Sequence, residues 1–542
     1  MKIIGLDFGT TNSTISYYSE ESKALTGFQV SASAIDYIPT VVAYNKSKNN
    51  EISIGDAAKA NLTAKNFEVY EYFKLRLGKD SNTPIEGKIK TPVEVTRDFI
   101  KNLLDVYKSS QHIDAIEGIV MTVPETWFRE ASNRTTRENI EKIFEELGYQ
   151  ESEILLESEP VAAAAYFCRA YEDNRDSGRA GTKYNGFITV IDYGGGTLDV
   201  TLCEVVNGKE IRVLERCGFG EYNDTNGCAG VAFDEAVIEK LVGDNKLSFP
   251  KNSSKFIKLR DSFEKKKITL YTNITKYLKF YYDDPAIVED EVLFSLEYND
   301  GDDTLDVHCE DLDECFNRVN APKLRASLEQ VKQFFNAHNI DSSSQDNFKV
   351  LLVGGFSNFF AVEKEVRSFF NASVEDIDKR FVQLPVKNRA SAISRGAALI
   401  AKEEIIPVHT CTHSYGYIVG SLGESDRWVD NYIPVVAKGT DIKELGKPVF
   451  KEDGQPLRVL RKGNHLRIFI DDGRPNNAGR LPAALDESVS ELFPNIDEPG
   501  NGYRIGFSVS RNQIPTIHIK DKHGKIISTS LNKLIERIAI IQ

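Results

Sequence analysis

The stretch Gly5 to Thr14, GLDFGTTNST, sets an apolar run, Ile3 to Leu6, against an aspartate and a Gly-Thr-Thr turn. Such a run before a glycine reads as a short buried strand ending at a loop, where the missing side chain of Gly9 leaves the backbone open to a polar ligand. Taken alone, the decapeptide reads equally well as a hairpin turn whose threonines cap nothing. The pattern returns at Thr189 to Val200, TVIDYGGGTLDV, which again runs strand, aspartate, aromatic residue, glycine turn and threonine. A third strand-to-glycine turn, VLLVGGFSN, occupies Val350 to Asn358.

Between these turns strands alternate with amphipathic helices, expected over Arg129 to Leu147, Ser253 to Leu270 and Pro322 to Ala337. That alternation marks α/β architecture with ligands bound where strands end. Two α/β halves facing one another would bring both Asp-Gly turns to one cleft. The polar segment Asp173 to Lys183 reads as the loop between the halves. After Ala401 short alternating runs, such as His465 to Ile470 and Ile514 to Ile519, are broken by Gly, Asn and Pro, the signature of a separate antiparallel β domain.

A chain of 542 residues is too long for one core, and 41% hydrophobic with 27% charged residues is an ordinary globular balance. A net charge of -14 argues against nucleic acid or an acidic membrane surface as general partner. Seven cysteines, odd in number and without a C-x-x-C pair, point to a reducing compartment and away from a zinc site. The start carries too few apolar residues for a signal-peptide core, and no apolar span is long enough for a bilayer, so a cytoplasmic chain is expected.

A nucleoside triphosphate needs backbone N–H groups and hydroxyls against its phosphates and carboxylates to hold a magnesium ion through water. Gly9, Thr10 and Thr11, with Gly194, Gly195, Gly196 and Thr197, offer the first two, and Asp7, Asp192 and Asp199 the third. The sequence has no G-x-x-x-x-G-K-[ST] loop, so this is not the single-loop nucleotide site.

GLDFGTTNS, VIDYGGGTLDV and LLVGGFSN, in this order and spacing, resemble the phosphate and adenosine motifs of the actin-like ATPase superfamily, most closely the 70-kDa heat-shock chaperones of the DnaK type. YIPTVVAY, FKLRLG, GIVMTVPETWF and LLESEPVAAAAYF fall between them where that family has counterparts, and SYGYIV, NYIPVVAKGTDI and GFSVSRNQIPTIHIKDKHGK look like the β half of its peptide-binding domain. The resemblance implies an actin-like ATPase fold of two facing α/β lobes followed by a β-sandwich-like peptide-binding domain. Lobe I would span 1–180 with an outer subdomain near 41–117, and lobe II 181–402 with an outer subdomain near 219–305. A linker at 403–410 would lead to the β domain at 411–542.

By the same resemblance Lys74 orients the attacking water and neutralises charge on the γ-phosphate, Glu159 meets the magnesium waters, and Thr197 and Asp199 stand beside the γ-phosphate, Asp199 accepting a proton. Asp7 and Asp192 hold magnesium through water, and Asn12 joins Gly9, Thr10 and Thr11 on the nucleotide. Glu264 and Lys267 would take the ribose, a salt-bridged helix surface being the alternative, while Gly354, Gly355, Phe356 and Ser357 form the third turn. Pro124 and Arg134 resemble a switch pair that relays nucleotide state.

This chain departs from the family at several points. Ile268 stands where the family stacks an arginine on adenine, the third turn reads Gly-Gly-Phe-Ser, the acid expected near Asn388 to Ile393 is missing, NGCAGVAFD replaces a double glycine, and Ile405-Ile406-Pro407 replaces a leucine-rich linker. Relaxed discrimination between ATP and GTP is the expected consequence. Beyond Gly524 only enough sequence for a closing strand and a short helix is seen, so a lidless branch of the family is expected. The implied activity is ATP hydrolysis to ADP with Mg²⁺, coupled to binding of extended polypeptide, with J-domain or nucleotide-exchange co-chaperones as further partners. The alternative is a nucleotide-sensing module that docks one fixed partner.

Overall fold

The computed structural model describes residues 2–29, 37–78, 81–85, 87–129, 134–173, 182–220, 227–298, 303–373, 378–382, 384, 391–411, 413–422, 428–451, 465–471, 483–493, 503–521 and 523–530. The chain divides into two compact units, Met1–Glu125 with Ile143–Pro407, and Thr126–Lys142 with Val408–Gln542.

In the first unit the strand Ile3–Phe8 pairs antiparallel with Asn12–Ser19 and parallel with Gly118–Val123, which continues in parallel to Ile154–Ser158. The second lobe repeats the plan: Gly186–Tyr193 pairs antiparallel with Leu198–Val206 and parallel with Phe348–Val353. The repeated sequence pattern is therefore a repeated hairpin at the centre of each sheet. Ile4, Leu6, Phe8, Ile188, Val190 and Ile191 are buried, as expected of strands covered on both faces, whose apolar runs need not alternate.

The helix Pro92–Gln111 starts at a capping box between Thr91 and Glu94 with proline in the first turn, two independent start signals. Two expected helices lie at Ser254–Thr269 and Ala321–His338, within a residue of their sequence bounds. Within the third expected span, helix Arg134–Glu146 is described, and a short helix, Thr126–Arg129, ends where that span begins. Helix Glu159–Asp173 presents the buried Ala162 to Ala165 to helix Ala392–Ala401, and small side chains let the two backbones approach closely. At Gly396 any Cβ would collide with the backbone carbonyl of Ala162, and at Gly5 with that of Ser394.

Smaller sheets carry the outer parts of the lobes: Glu51–Ile54, Val42–Asn45 and Phe67–Tyr70 in one, the hairpin Phe294–Glu297 with Thr304–Val307 in the other. The strand Ile406–Val408 joins the second-lobe sheet beside Glu210–Phe219, and the Ile406 amide donates to Lys209 O at 2.8 Å. Pro407 has no N–H to give, and an edge strand is where that loss is tolerated.

The second unit holds two four-stranded sheets. One orders Trp428–Val436, Ser414–Leu422, His465–Asp471 and Ala483–Ser488, the other Val449–Phe450, Arg504–Val509, Pro515–Lys520 and Ile526–Ser530. Their shared core includes Tyr415, Leu466, Ile468, Ile470, Phe507, Val509, Ile517 and Ile519. Phe469 faces the other way, edge-on to Tyr432 at 5.3 Å, as strand alternation requires. Within this unit Arg137 donates to Gln513 O at 3.2 Å and Asn512 to Glu141 at 2.6 Å. Most of the expected inter-lobe loop, the segment before Ser391 where an acid was expected, the side chain of Arg134 and the expected terminal helix lie outside the described residues. Among the described residues no helix is long and apolar enough to cross a membrane.

Because Gly396 meets backbone rather than a movable side-chain end, Gly396→Ala should destabilise the first unit by about 1–3 kcal/mol. Calorimetry should show its unfolding transition moved down by several degrees while that of the second unit stays in place.

Candidate functional site: a cleft where three glycine turns meet

The three glycine turns meet in the first unit. The Cβ positions at Gly195 and Gly196 lie 2.5 Å from Thr11 Cγ2 and 2.6 Å from Thr10 Oγ1, so the second turn rests directly on the first. Gly354, at φ +83°, brings the third turn against the carboxylate and backbone of Asp192 and Tyr193, where only glycine fits. Gly194 O and Gly195 O accept from the amides of Gly230 and Val231 at 3.1 and 2.9 Å. A trans peptide points its N–H opposite its C=O, so the N–H groups of Gly195 and Gly196 face away from that helix.

These turns border a cavity of about 390 Å³, within the ~300–1,000 Å³ range of small-molecule sites. Its wall includes Asp7, Gly9, Thr10, Thr11, Asn12, Lys74, Glu159, Asp192, Gly194, Gly195, Gly196, Thr197, Lys267, Ile268, Gly354, Gly355 and Phe356. Asp199, Glu264 and Ser357 stand outside the wall. Asp199 is fully buried and pairs with Asp192 across the hairpin, as Asp7 pairs with Thr14 in the first. Ser357 turns its hydroxyl to Gly354 O at 2.7 Å, closing the third turn. Glu264 accepts from Lys59 at 2.6 Å, and Lys267 pairs with Asp234, so the two expected ribose residues hold separate ion pairs.

At the phosphate-like end Lys74 is buried and donates to Glu159 Oε1 at 2.7 Å and to Phe8 O. Lys74 is contributed by the short 3-10 turn Phe73–Arg76 and Glu159 by the first residue of helix Glu159–Asp173. Asp7 accepts from Thr122 at 3.1 Å, yet burial, then the charge of Glu159, pushes its carboxyl up to about 7. Burial, with Glu159, Asp199 and Asp7 around it, raises Asp192 as well. Asp192 Oδ2 is buried with no hydrogen-bond partner. Buried carboxylates of this kind are stabilised in their charged form by a nearby cation.

The other end is apolar. Sequence reading singled out Ile268 and Phe356 there. The structure adds Tyr37, Tyr271, Ile274, Thr275, Asn358, Phe359 and Phe360. Ile268 is half exposed at the rim. Phe356 is anchored edge-on to Tyr193 at 5.0 Å and stacked with Phe359 at 5.6 Å. Tyr271 and Thr275 lie on the next helix, Tyr271–Asp283, beyond the expected end of the Ile268 helix at Leu270, so no single helical period linked them to Ile268.

Two sheets with equivalent hairpins, their glycine turns clasping a cleft with paired aspartates, define an actin-like ATPase fold with a β-rich unit after it. The profile of the Hsp70 protein family matches residues 73–402. The chain is 27% identical over 529 residues to the chaperone protein DnaK of Mycoplasma mycoides subsp. mycoides SC, covering 96% of this chain and 78% of that one. The chain belongs to the Hsp70 family.

The raised carboxyls make the empty-cleft protein sensitive to pH. A carboxyl whose folded pKa lies above its unfolded value near 3.8 adds stability at low pH and loses it as pH rises through about 7, the value for Asp7. Without nucleotide, Asp7→Asn should therefore melt several degrees above the parent at pH 8, the gap closing as pH falls toward 4 in a series of thermal melts.

Proposed function

We propose that this protein hydrolyses ATP to ADP in the cleft, slowly and with magnesium, and couples nucleotide state to binding of extended polypeptide in its β-rich unit. The observation that carries this reading is the buried Lys74–Glu159 pair beside the two glycine turns, with Asp192, one of whose buried oxygens has no hydrogen-bond partner, on the same wall. A buried lysine held by one carboxylate and one carbonyl is preorganised to meet negative charge without solvent rearrangement.

The residues fit a magnesium nucleotide. Asp7 and Asp192 would hold the ion through its waters, which supplies charge neutralisation and orientation for the phosphates. Among the described residues no three His, Cys, Asp or Glu side chains group as direct metal ligands. The N–H groups of the Gly194 turn and the hydroxyls of Thr10, Thr11 and Thr197 bind phosphoryl oxygens. Lys74 orients the attacking water, and Asp199, the strand partner of the wall residue Asp192, takes the proton that water releases. Catalysis is positioning plus electrostatics with no covalent intermediate, which makes slow turnover natural. The apolar end receives the base by packing, and with Ile268 at the rim no guanidinium plane covers it from that position.

In the β-rich unit, sheet faces with separate apolar sets, and outer strands that pair on one side only among the described residues, suit an extended chain bound by main-chain hydrogen bonds and side-chain pockets. The proline in strand Ile406–Val408 should soften, without abolishing, the coupling between nucleotide and polypeptide.

Lys74→Ala and Asp199→Asn should each reduce phosphate release by about two orders of magnitude or more, the scale for losing one preorganised group, while ATP binding by titration calorimetry persists. Normal turnover in either variant would overturn the site assignment. Fluorescence anisotropy with a labelled apolar peptide should show binding that weakens in ATP relative to ADP. Failure across a varied peptide panel would instead favour a module that docks one fixed partner.

A further inference from the structure

The turn that carries Lys74 starts from a backbone conformation its sequence does not favour. Tyr72, its first flanking residue, sits at φ 56°, ψ 19°, in the left-handed region. The other non-glycine residues described at positive φ are Asn, Lys, His, Glu and Gln. A bulky aromatic side chain there is an outlier that persists only when its surroundings over-determine it.

Those surroundings come from the opposite lobe. Arg260, on helix Ser254–Thr269, donates to Glu71 Oε2 at 2.6 Å and places its guanidinium 5.1 Å from the centre of the Tyr72 ring. It is buried, and on its own lobe it also approaches Glu235 at 3.9 Å. On the far side of Tyr72 the chain has no slack: Phe73 is fully buried against Phe8 and Phe99, and Lys74 follows directly. The Leu75 amide closes the turn on Tyr72 O at 3.2 Å.

We propose that Arg260 is a positioning residue that makes the placement of Lys74 depend on closure of the cleft. With the lobes together, Arg260 grips Glu71 and the Tyr72 ring and holds the strained turn, which presents Lys74 to Glu159 and Phe8 O. When the lobes part the grip is lost, Tyr72 relaxes to negative φ, and the turn rotates Lys74 out of register. Hydrolysis is then confined to the closed cleft by a backbone conformation rather than by a group touching the nucleotide. The inference rests on the hydrolytic reading of the site for its rate consequence and on geometry alone for the position of Lys74.

The test uses the full chain as Arg260→Ala and as the double variant Arg260→Ala with Tyr72→Gly, since glycine adopts positive φ without penalty. At saturating ATP, Arg260→Ala should slow single-turnover hydrolysis by about tenfold or more, the scale of a misplaced catalytic group, and the double variant should recover most of that loss. In parallel, acylation of Lys74 by an amine-reactive ester, read by peptide mass spectrometry, should rise several-fold in Arg260→Ala and fall back in the double variant. A merely electrostatic or folding role for Arg260 predicts no rescue by glycine, and absence of rescue in both readouts overturns the proposal. If the parent protein hydrolyses nothing, the hydrolytic reading fails, while the acylation series still decides whether Arg260 positions Lys74. Unchanged Lys74 reactivity in all three proteins would reject it.

Discussion

The buried Lys74–Glu159 pair is the interaction around which the rest of the cleft is arranged. One ammonium group faces Glu159, with Asp7 and Asp192 on the same cavity wall. Taking these charges from water is costly, and the imbalance appears in the raised carboxyls of Asp7 and Asp192. A protein optimised for stability alone would replace such a cluster with apolar residues. Its persistence at the meeting of two glycine turns is understandable if the stability it forfeits is recovered when a polyanion and its counter-cation bind.

The glycine turns are the second constraint, and they depend on close approach that a side chain would block. Thr10 and Thr11 occupy the space that side chains at Gly195 and Gly196 would need, and Asp192 occupies the space beside Gly354. The same economy recurs in the core, where Gly5 and Gly396 let a central strand and the helix Ala392–Ala401 approach carbonyl groups directly. Substituting Gly5 or Gly396 pushes apart backbones that have little freedom to yield, since interiors are close-packed. The cleft geometry is thus a consequence of how tightly the hairpins and helices behind it pack.

The two ends of the cavity follow different physics. The phosphate-like end uses buried charge and oriented amides, which tolerate little displacement. The base-like end uses rings and aliphatic groups, with Phe356 wedged between Tyr193 and Phe359, and gives affinity by area with few directional contacts. Ion pairs from Lys59 to Glu264 and from Arg260 to Glu71 tie the helix Ser254–Thr269 to the first lobe at the mouth of this space. Their partners are far apart in sequence, and no single segment announces them.

Much was legible from local pattern. The duplicated strand-Asp-aromatic-Gly motif marks two buried strands that end at aspartates in equivalent positions, while the hairpin at each, one of two readings open in the sequence, is seen only in the strand pairing. The helices after Ser253 and around Pro322 followed from their amphipathic pattern. Sequence could not say that Glu264 and Lys267, three residues apart, would choose different ion-pair partners, Lys59 and Asp234, or that Asp199 would lie behind the cavity wall. Nor could it show that Tyr37, Tyr271, Thr275, Phe359 and Phe360 join one wall, or that Tyr72 is held at positive φ by an arginine 188 positions away. Backbone turns are decided by neighbours along the chain and so are written locally. Which charges pair, which rings meet and which strained residue is held in place depend on elements brought together from distant parts of the chain, and that only the packed structure decides.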